Sequence, residues 1–181
     1  LGDLAFRAND LAEAEEAFAE AHALSPADDR AAYNLGTVLL ARERYSEAID
    51  LLRPLSERED PEDAAVFNLA EAYRATGALE SARDLLRSLV DRHPSFKGAS
   101  FALGVTLDAL GDLGGAEVAY RSALDQRGDD LASLLNLASV LERLGRIDDA
   151  RGMLDKALEL PMEEEKARAI REAIRVLASG R

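Results

Sequence analysis

The sequence has no cysteine and no tryptophan, and aromatic residues make up only 5% of its 181 residues. Without cysteine there is no disulfide framework, no zinc–thiolate site and no thiol nucleophile. The same absence suits a reducing compartment, so a soluble cytoplasmic chain is preferred to a periplasmic one. Basic residues are scarce as well: 22 Lys and Arg stand against 35 Asp and Glu, giving a net charge of −13. That balance argues against nucleic acid, whose phosphates need cationic neutralisation, and against an anionic membrane surface. No apolar run approaches the about 20 residues that span a bilayer. The longest candidate, Val38-Leu39-Leu40-Ala41, is stopped by Arg42-Glu43-Arg44, so no membrane insertion is expected. The chain opens at Leu1 without an initiator Met and reads as a piece of a longer or processed protein, so a missing targeting segment carries no weight.

What the chain does contain is apolar residues (48%), charge (31%) and a large share of Ala, enough for a sizeable core of closely packed helices. The apolar residues repeat. Leu1, Leu35, Leu69, Leu103 and Leu137 are spaced 34 residues apart, and each is followed by Gly or Ala. The same step links Ala14, Ala48, Ala82, Ala116 and Ala150, then Phe18, Leu52, Leu86, Tyr120 and Leu154, then Leu11, Tyr45, Leu79, Leu113 and Ile147. Each copy holds two apolar stripes of helical period separated by a turn. One copy reads Val66, Leu69, Ala70, Tyr73, then Thr76-Gly77-Ala78, then Ala82, Leu85, Leu86, Leu89. Gly77, Gly111 and Gly145 are available for left-handed helix ends. Copies close near Pro26, Pro61, Pro94 and Pro161, with Gly128 in place of Pro once.

This arrangement resembles the tetratricopeptide repeat (TPR) family over nearly the whole chain. The family's Leu-Gly pair, following large residue, inter-helix Gly, close-packing Ala and closing Pro appear as Leu69-Ala70, Tyr73, Gly77, Ala82, Leu86 and Pro94. Asn9 and Glu43 depart from it, standing where Gly is usual. Leu55 and Leu89 replace a second small residue, and Pro54 falls inside a second helix, where it should remove a backbone hydrogen bond. The resemblance implies an all-α fold: a TPR-type α-solenoid of stacked antiparallel helix hairpins wound into a right-handed superhelix. It forms a single array, with a partial repeat at 1–28, repeats at 29–62, 63–96, 97–130 and 131–164, and a capping helix at 165–181. A single hairpin cannot bury its own apolar face, so neighbours must stack. Within the cap, Ala167, Ile170, Ile174 and Leu177 make one narrow apolar face.

Catalytic signals are weak. His22 and His93 fall near the ends of second helices, where a histidine suits the helix dipole. The acidic groups Glu13, Glu15, Glu16 and Asp148-Asp149 have no His partner and read as solvated faces. Gly111-Asp112-Leu113-Gly114-Gly115 lacks the strand and Lys of a phosphate loop. No catalytic residue, metal ligand or cofactor is expected, and the chain reads as noncatalytic.

The resemblance further implies that first helices line the concave side of the solenoid. On them Tyr33, Phe67, Phe101 and Leu135 form a ladder, and Asn34, Asn68 and Asn136 form a broken one, interrupted by Ala102. An Asn amide both donates and accepts, so it can pair with any peptide backbone, and aromatic neighbours add apolar area. With Thr37, Glu71 and Arg74 one or two turns on, these are the candidate partner-binding residues. The alternative is that Tyr33 and Phe67 pack against the adjacent helix and the Asn residues are structural. A chaperone-tail clamp is disfavoured, because the places for its basic residues hold Asp3, Ala64, Tyr33, Gly98 and Ala102. A neutral or basic protein or peptide is the expected partner of a groove-binding scaffold. The competing readings are the targeting domain of a larger enzyme, such as a glycosyltransferase, and a homo-oligomeric assembly protein joined through its terminal repeats.

Overall fold

A computed structural model describes residues 10–126 and 130–179. Leu1, Gly2, Asp3, Asn9 and Gly128 lie outside the described residues. Among the described residues there are ten α-helices and no strand, and no helix is long and apolar enough to cross a membrane. The chain divides into two compact units, residues 1–92 and 93–181.

The first unit contains α1 (Leu11–Leu24), α2 (Asp29–Ala41), α3 (Tyr45–Ser56), α4 (Asp63–Ala75) and α5 (Leu79–Arg92). Consecutive helices pack on one another, and α2 also touches α4. The second unit contains α6 (Ala99–Ala109), α7 (Leu113–Gln126), α8 (Leu131–Arg143), α9 (Ile147–Leu158) and α10 (Glu164–Ser179), packed in the same order, with α6 against α8.

The 34-residue ladders explain this regularity. Leu11, Tyr45, Leu79, Leu113 and Ile147 are the first residues of α1, α3, α5, α7 and α9. Ala14, Ala48, Ala82, Ala116 and Ala150, three residues further on, are all 0% exposed. A larger side chain at any of these fully buried places would overpack the helix contact. Leu52, Leu86, Tyr120 and Leu154 fill the space beyond them and are buried as well. In the first unit the core runs through Leu35, Leu39, Leu52, Leu55 and Leu69. In the second it runs through Leu134, Ala138, Leu154, Ala157 and Ile170.

One turn chemistry links first helix to second. The N–H groups of Arg44, Ala78, Asp112 and Arg146 each donate at 2.9 Å to the carbonyl five residues earlier: Leu39, Tyr73, Leu107 and Leu141. This closure needs a left-handed residue just before the donor. Gly77 (φ +80°), Gly111 (+80°) and Gly145 (+76°) supply it, and Glu43 adopts φ +60° in the equivalent place. Pro54 lies in the last turn of α3, which stops at Ser56; in register, α5 and α7 run two residues further.

The open end of each hairpin is tied differently from repeat to repeat. Arg58 pairs with Asp29 at 2.7 Å, and Arg92 pairs with Asp63 at 3.3 Å, both 29 residues apart. In the next repeat Gln126 donates instead to the Pro94 carbonyl (2.6 Å) and to Ser100 Oγ (3.0 Å). In the last, Leu131 and Leu160 pack against one apolar cluster.

Candidate functional site

The ten candidate residues fall in two groups. Tyr33, Asn34 and Thr37 on α2 and Phe67, Asn68, Glu71 and Arg74 on α4 belong to the first unit. Phe101 on α6 and Leu135 and Asn136 on α8 belong to the second. All ten are half-buried, as expected of side chains beside a helix contact rather than within it.

In the first unit the structure separates residues that look alike in sequence. Thr37 Oγ1 donates to the Tyr33 carbonyl at 2.9 Å and accepts from Asn68 Nδ2 at 3.0 Å. Asn68 therefore fastens α4 to α2. Asn34 and Asn136 make no such bond with another described residue. The counterpart of Thr37 in front of Asn136 is Val105, which has no polar side-chain atom to offer. The break at Ala102 is likewise structural, since that side chain is buried.

Tyr33 and Asn34 line a cleft of about 430 Å³, together with Arg30, Leu55, Arg58 and Ala65. Asp29, Asp60 and Glu62 also border it, and Arg58 is committed to Asp29. One turn along, Glu71 and Arg74 neutralise each other through contacts of 3.0 and 3.3 Å. Arg74 is thus not a free cation for an acidic ligand.

In the second unit Phe101 leans on Tyr120, with ring centroids 5.9 Å apart and planes tilted by 55°. This is a favourable aromatic geometry that turns much of Phe101 toward the protein. Leu135 packs against the core of the unit. It also borders a second, more apolar cleft of about 570 Å³ between α8 and α10. Across this cleft stand Ala169, Ala173 and Val176, which lie 34 residues after Leu135, Ser139 and Glu142. The repeat's ladder therefore continues into the segment set apart as a cap, and that 34-residue step was the signal by which these positions are findable.

The catalytic candidates stay scattered. His22 is in the last turn of α1 and His93 follows α5. No three His, Cys, Asp or Glu side chains among the described residues come together in a metal-holding group. Gly114 and Gly115 lie in the first turn of α7, and Asp112 Oδ1 accepts from the Gly115 N–H at 2.9 Å, so this glycine-rich stretch is a capped helix start after an inter-helix turn.

Comparison with known proteins follows the same architecture. Profiles described as tetratricopeptide repeat match residues 1–64, 33–95, 67–130 and 109–178. A search of curated proteins by sequence returns no match. Among solved structures, MamA superposes with a TM-score of 0.82 at 21% identity, covering 93% of this chain and 96% of that one. A second form of MamA, from AMB-1, gives 0.77 at 24% identity, with 92% of each chain covered. YrrB, described as a TPR protein with an unusual peptide-binding site, gives 0.79 at 20% identity, covering 94% of this chain and 88% of its own. At these identities the likeness is one of fold: an all-α TPR solenoid.

Proposed function

Because the chain belongs to the tetratricopeptide repeat family, we propose that it is a noncatalytic protein-interaction scaffold. In this reading it holds a peptide or helix of a partner protein against its first helices. The observation that carries it is the cleft of about 430 Å³ that Tyr33 and Asn34 line side by side. The Asn68 amide is engaged by Thr37 in fastening α4 to α2, and Asn34 is the amide that borders the cleft. An amide so placed can donate to and accept from a peptide backbone whatever the peptide's side chains, with Tyr33 adding apolar area at little entropic cost. The peptide-binding site recorded for YrrB supports the same use of the fold. The net charge of −13 and the acids around the cleft favour a neutral or basic segment.

The test is affinity capture of partners from the native cell with the intact chain and with a Tyr33→Ala/Asn34→Ala variant. The variant is expected to keep its helical circular dichroism and lose the captured partners. Equal recovery would remove these residues from the binding surface. Asn68→Ala is the wrong probe, because it loosens the contact between α2 and α4.

A further inference from the structure

We propose that the cleft between α8 and α10 receives a partner segment in which aliphatic or aromatic side chains lie beside a lysine or arginine. The inference rests on the scaffold reading and names the chemistry of one part of its surface. α10 rests on α9, and between its C-terminal half and α8 the cleft opens to about 570 Å³. That volume is typical of ligand-sized sites. Leu135 and Ala138 line one wall, Leu154 the floor, and Ala173, Val176 and Leu177 the other wall. Val176 is 44% exposed, one of few large apolar side chains so placed. Such a surface gains from covering by apolar groups.

Charge selects among apolar partners. Glu142 borders the cleft one residue before the end of α8, where the partial negative charge of the helix terminus already disfavours a carboxylate. It makes no ion pair with a described residue. The neighbouring Arg143 is engaged by Asp108 of α6. Glu172, on the opposite wall, is already paired with Arg175 at 3.0 Å. Among the described residues the uncompensated charge at the rim is therefore negative, and a cation on the incoming segment is the group that complements it.

The test pans a phage-displayed random peptide library on the intact chain and measures synthetic copies of the selected peptides by fluorescence polarisation. The selected sequences should place Lys or Arg next to Leu, Phe or similar residues. Ala173→Trp, which fills the cleft from an exposed position, should weaken them more than about tenfold. Glu142→Lys should weaken them up to about fivefold, the size of one exposed ion pair. If Ala173→Trp does not fold, Ser139→Arg blocks the cleft from the opposite wall. Peptides without basic enrichment, or indifferent to both blocking variants, would overturn the inference. If those peptides are instead lost on Tyr33→Ala/Asn34→Ala, the scaffold reading survives; if neither set of variants matters, both readings fail. Sedimentation over a concentration series covers the remaining occupant. Self-association of the intact chain that Ala173→Trp abolishes would assign the cleft to a second copy and overturn the proposal.

Discussion

A Cβ atom added to Gly104 would lie 2.7 Å from both Cδ1 and Cε1 of Tyr120, closer than carbon atoms approach. The two residues are 16 apart, and the same offset pairs Gly36 with Leu52, Ala70 with Leu86 and Ala138 with Leu154. Where the partner is Leu, Ala is already present twice; where it is Tyr, only Gly fits. Gly104→Ala should therefore lower stability by up to about 2 kcal/mol: overpacking costs about 1–3 kcal/mol, and helix propensity returns about 1 kcal/mol. Adding Tyr120→Leu should recover part of this loss, so that the double variant is more stable than additivity allows. Gly152, in the interior of α9 with nothing within 4 Å of an added Cβ, should respond oppositely. Gly152→Ala should gain about 0.5–1 kcal/mol. Urea denaturation of the four variants, Tyr120→Leu alone included, decides the matter, and an unchanged midpoint for Gly104→Ala would show that Tyr120 can yield.

Glu43 is the one described non-glycine residue with positive φ. Its place in the 34-residue register is held elsewhere by Gly77, Gly111 and Gly145. A side chain in the left-handed region costs about 1–2 kcal/mol, against which glycine loses more chain entropy on folding. Glu43→Gly should therefore raise stability by about 0.5–1 kcal/mol, and Glu43→Ala should gain nothing. Melting temperatures of the two variants separate backbone strain from any contribution of the carboxylate.

The parts of the fold that could be read in the sequence are those where one residue type is dictated by distance alone. The five alanines from Ala14 to Ala150 permit close helix approach and nothing else, so their spacing showed both the repeat and its packing. The candidate site was less legible because its residues depend on neighbours 31 residues away. Asn34, Asn68 and Asn136 look equivalent until the residue facing each is considered: Thr37 supplies an acceptor to Asn68, and Val105 has none for Asn136. The cleft beside α10 was missed for another reason. Ala169, Ala173 and Val176 continue the ladder in position but not in residue type, so the register persists where the pattern of residues lapses.

This distinction is measurable. Asn68→Ala removes a partly buried hydrogen bond and should cost about 1 kcal/mol, with Thr37 still bonded to the Tyr33 carbonyl. Asn34→Ala removes no bond to a described residue and should stay within about 0.5 kcal/mol of the parent. Partner binding should respond the other way round, with Asn34→Ala the more damaging. Thermal melts run beside a binding assay test both halves, and equal destabilisation by the two variants would cancel the assignment of Asn68 as a fastener.

Glu117 ties two repeats of the second unit together and should make stability depend on acid. Burial pushes its carboxyl up, but hydrogen bonds from Arg121 and Arg146 outweigh that and hold it below the usual range. Arg146 reaches it from the next repeat at 2.7 Å and is itself steadied by Asp149 at 2.7 Å. A carboxylate whose folded value lies below its unfolded value binds fewer protons folded than unfolded. Its stabilising effect is complete above the unfolded value of about 4.3 and is lost as pH falls through the lower, folded value. Arg146→Gln takes away the guanidinium that donates to both Glu117 oxygens at 2.7 and 2.8 Å, leaving the bond from Arg121, and should shrink this effect. Denaturation midpoints of parent and variant should differ most at neutral pH and converge as the solution is acidified below about pH 4. A difference that stays constant across that range would show that Arg146 contributes by packing rather than through the charge of Glu117.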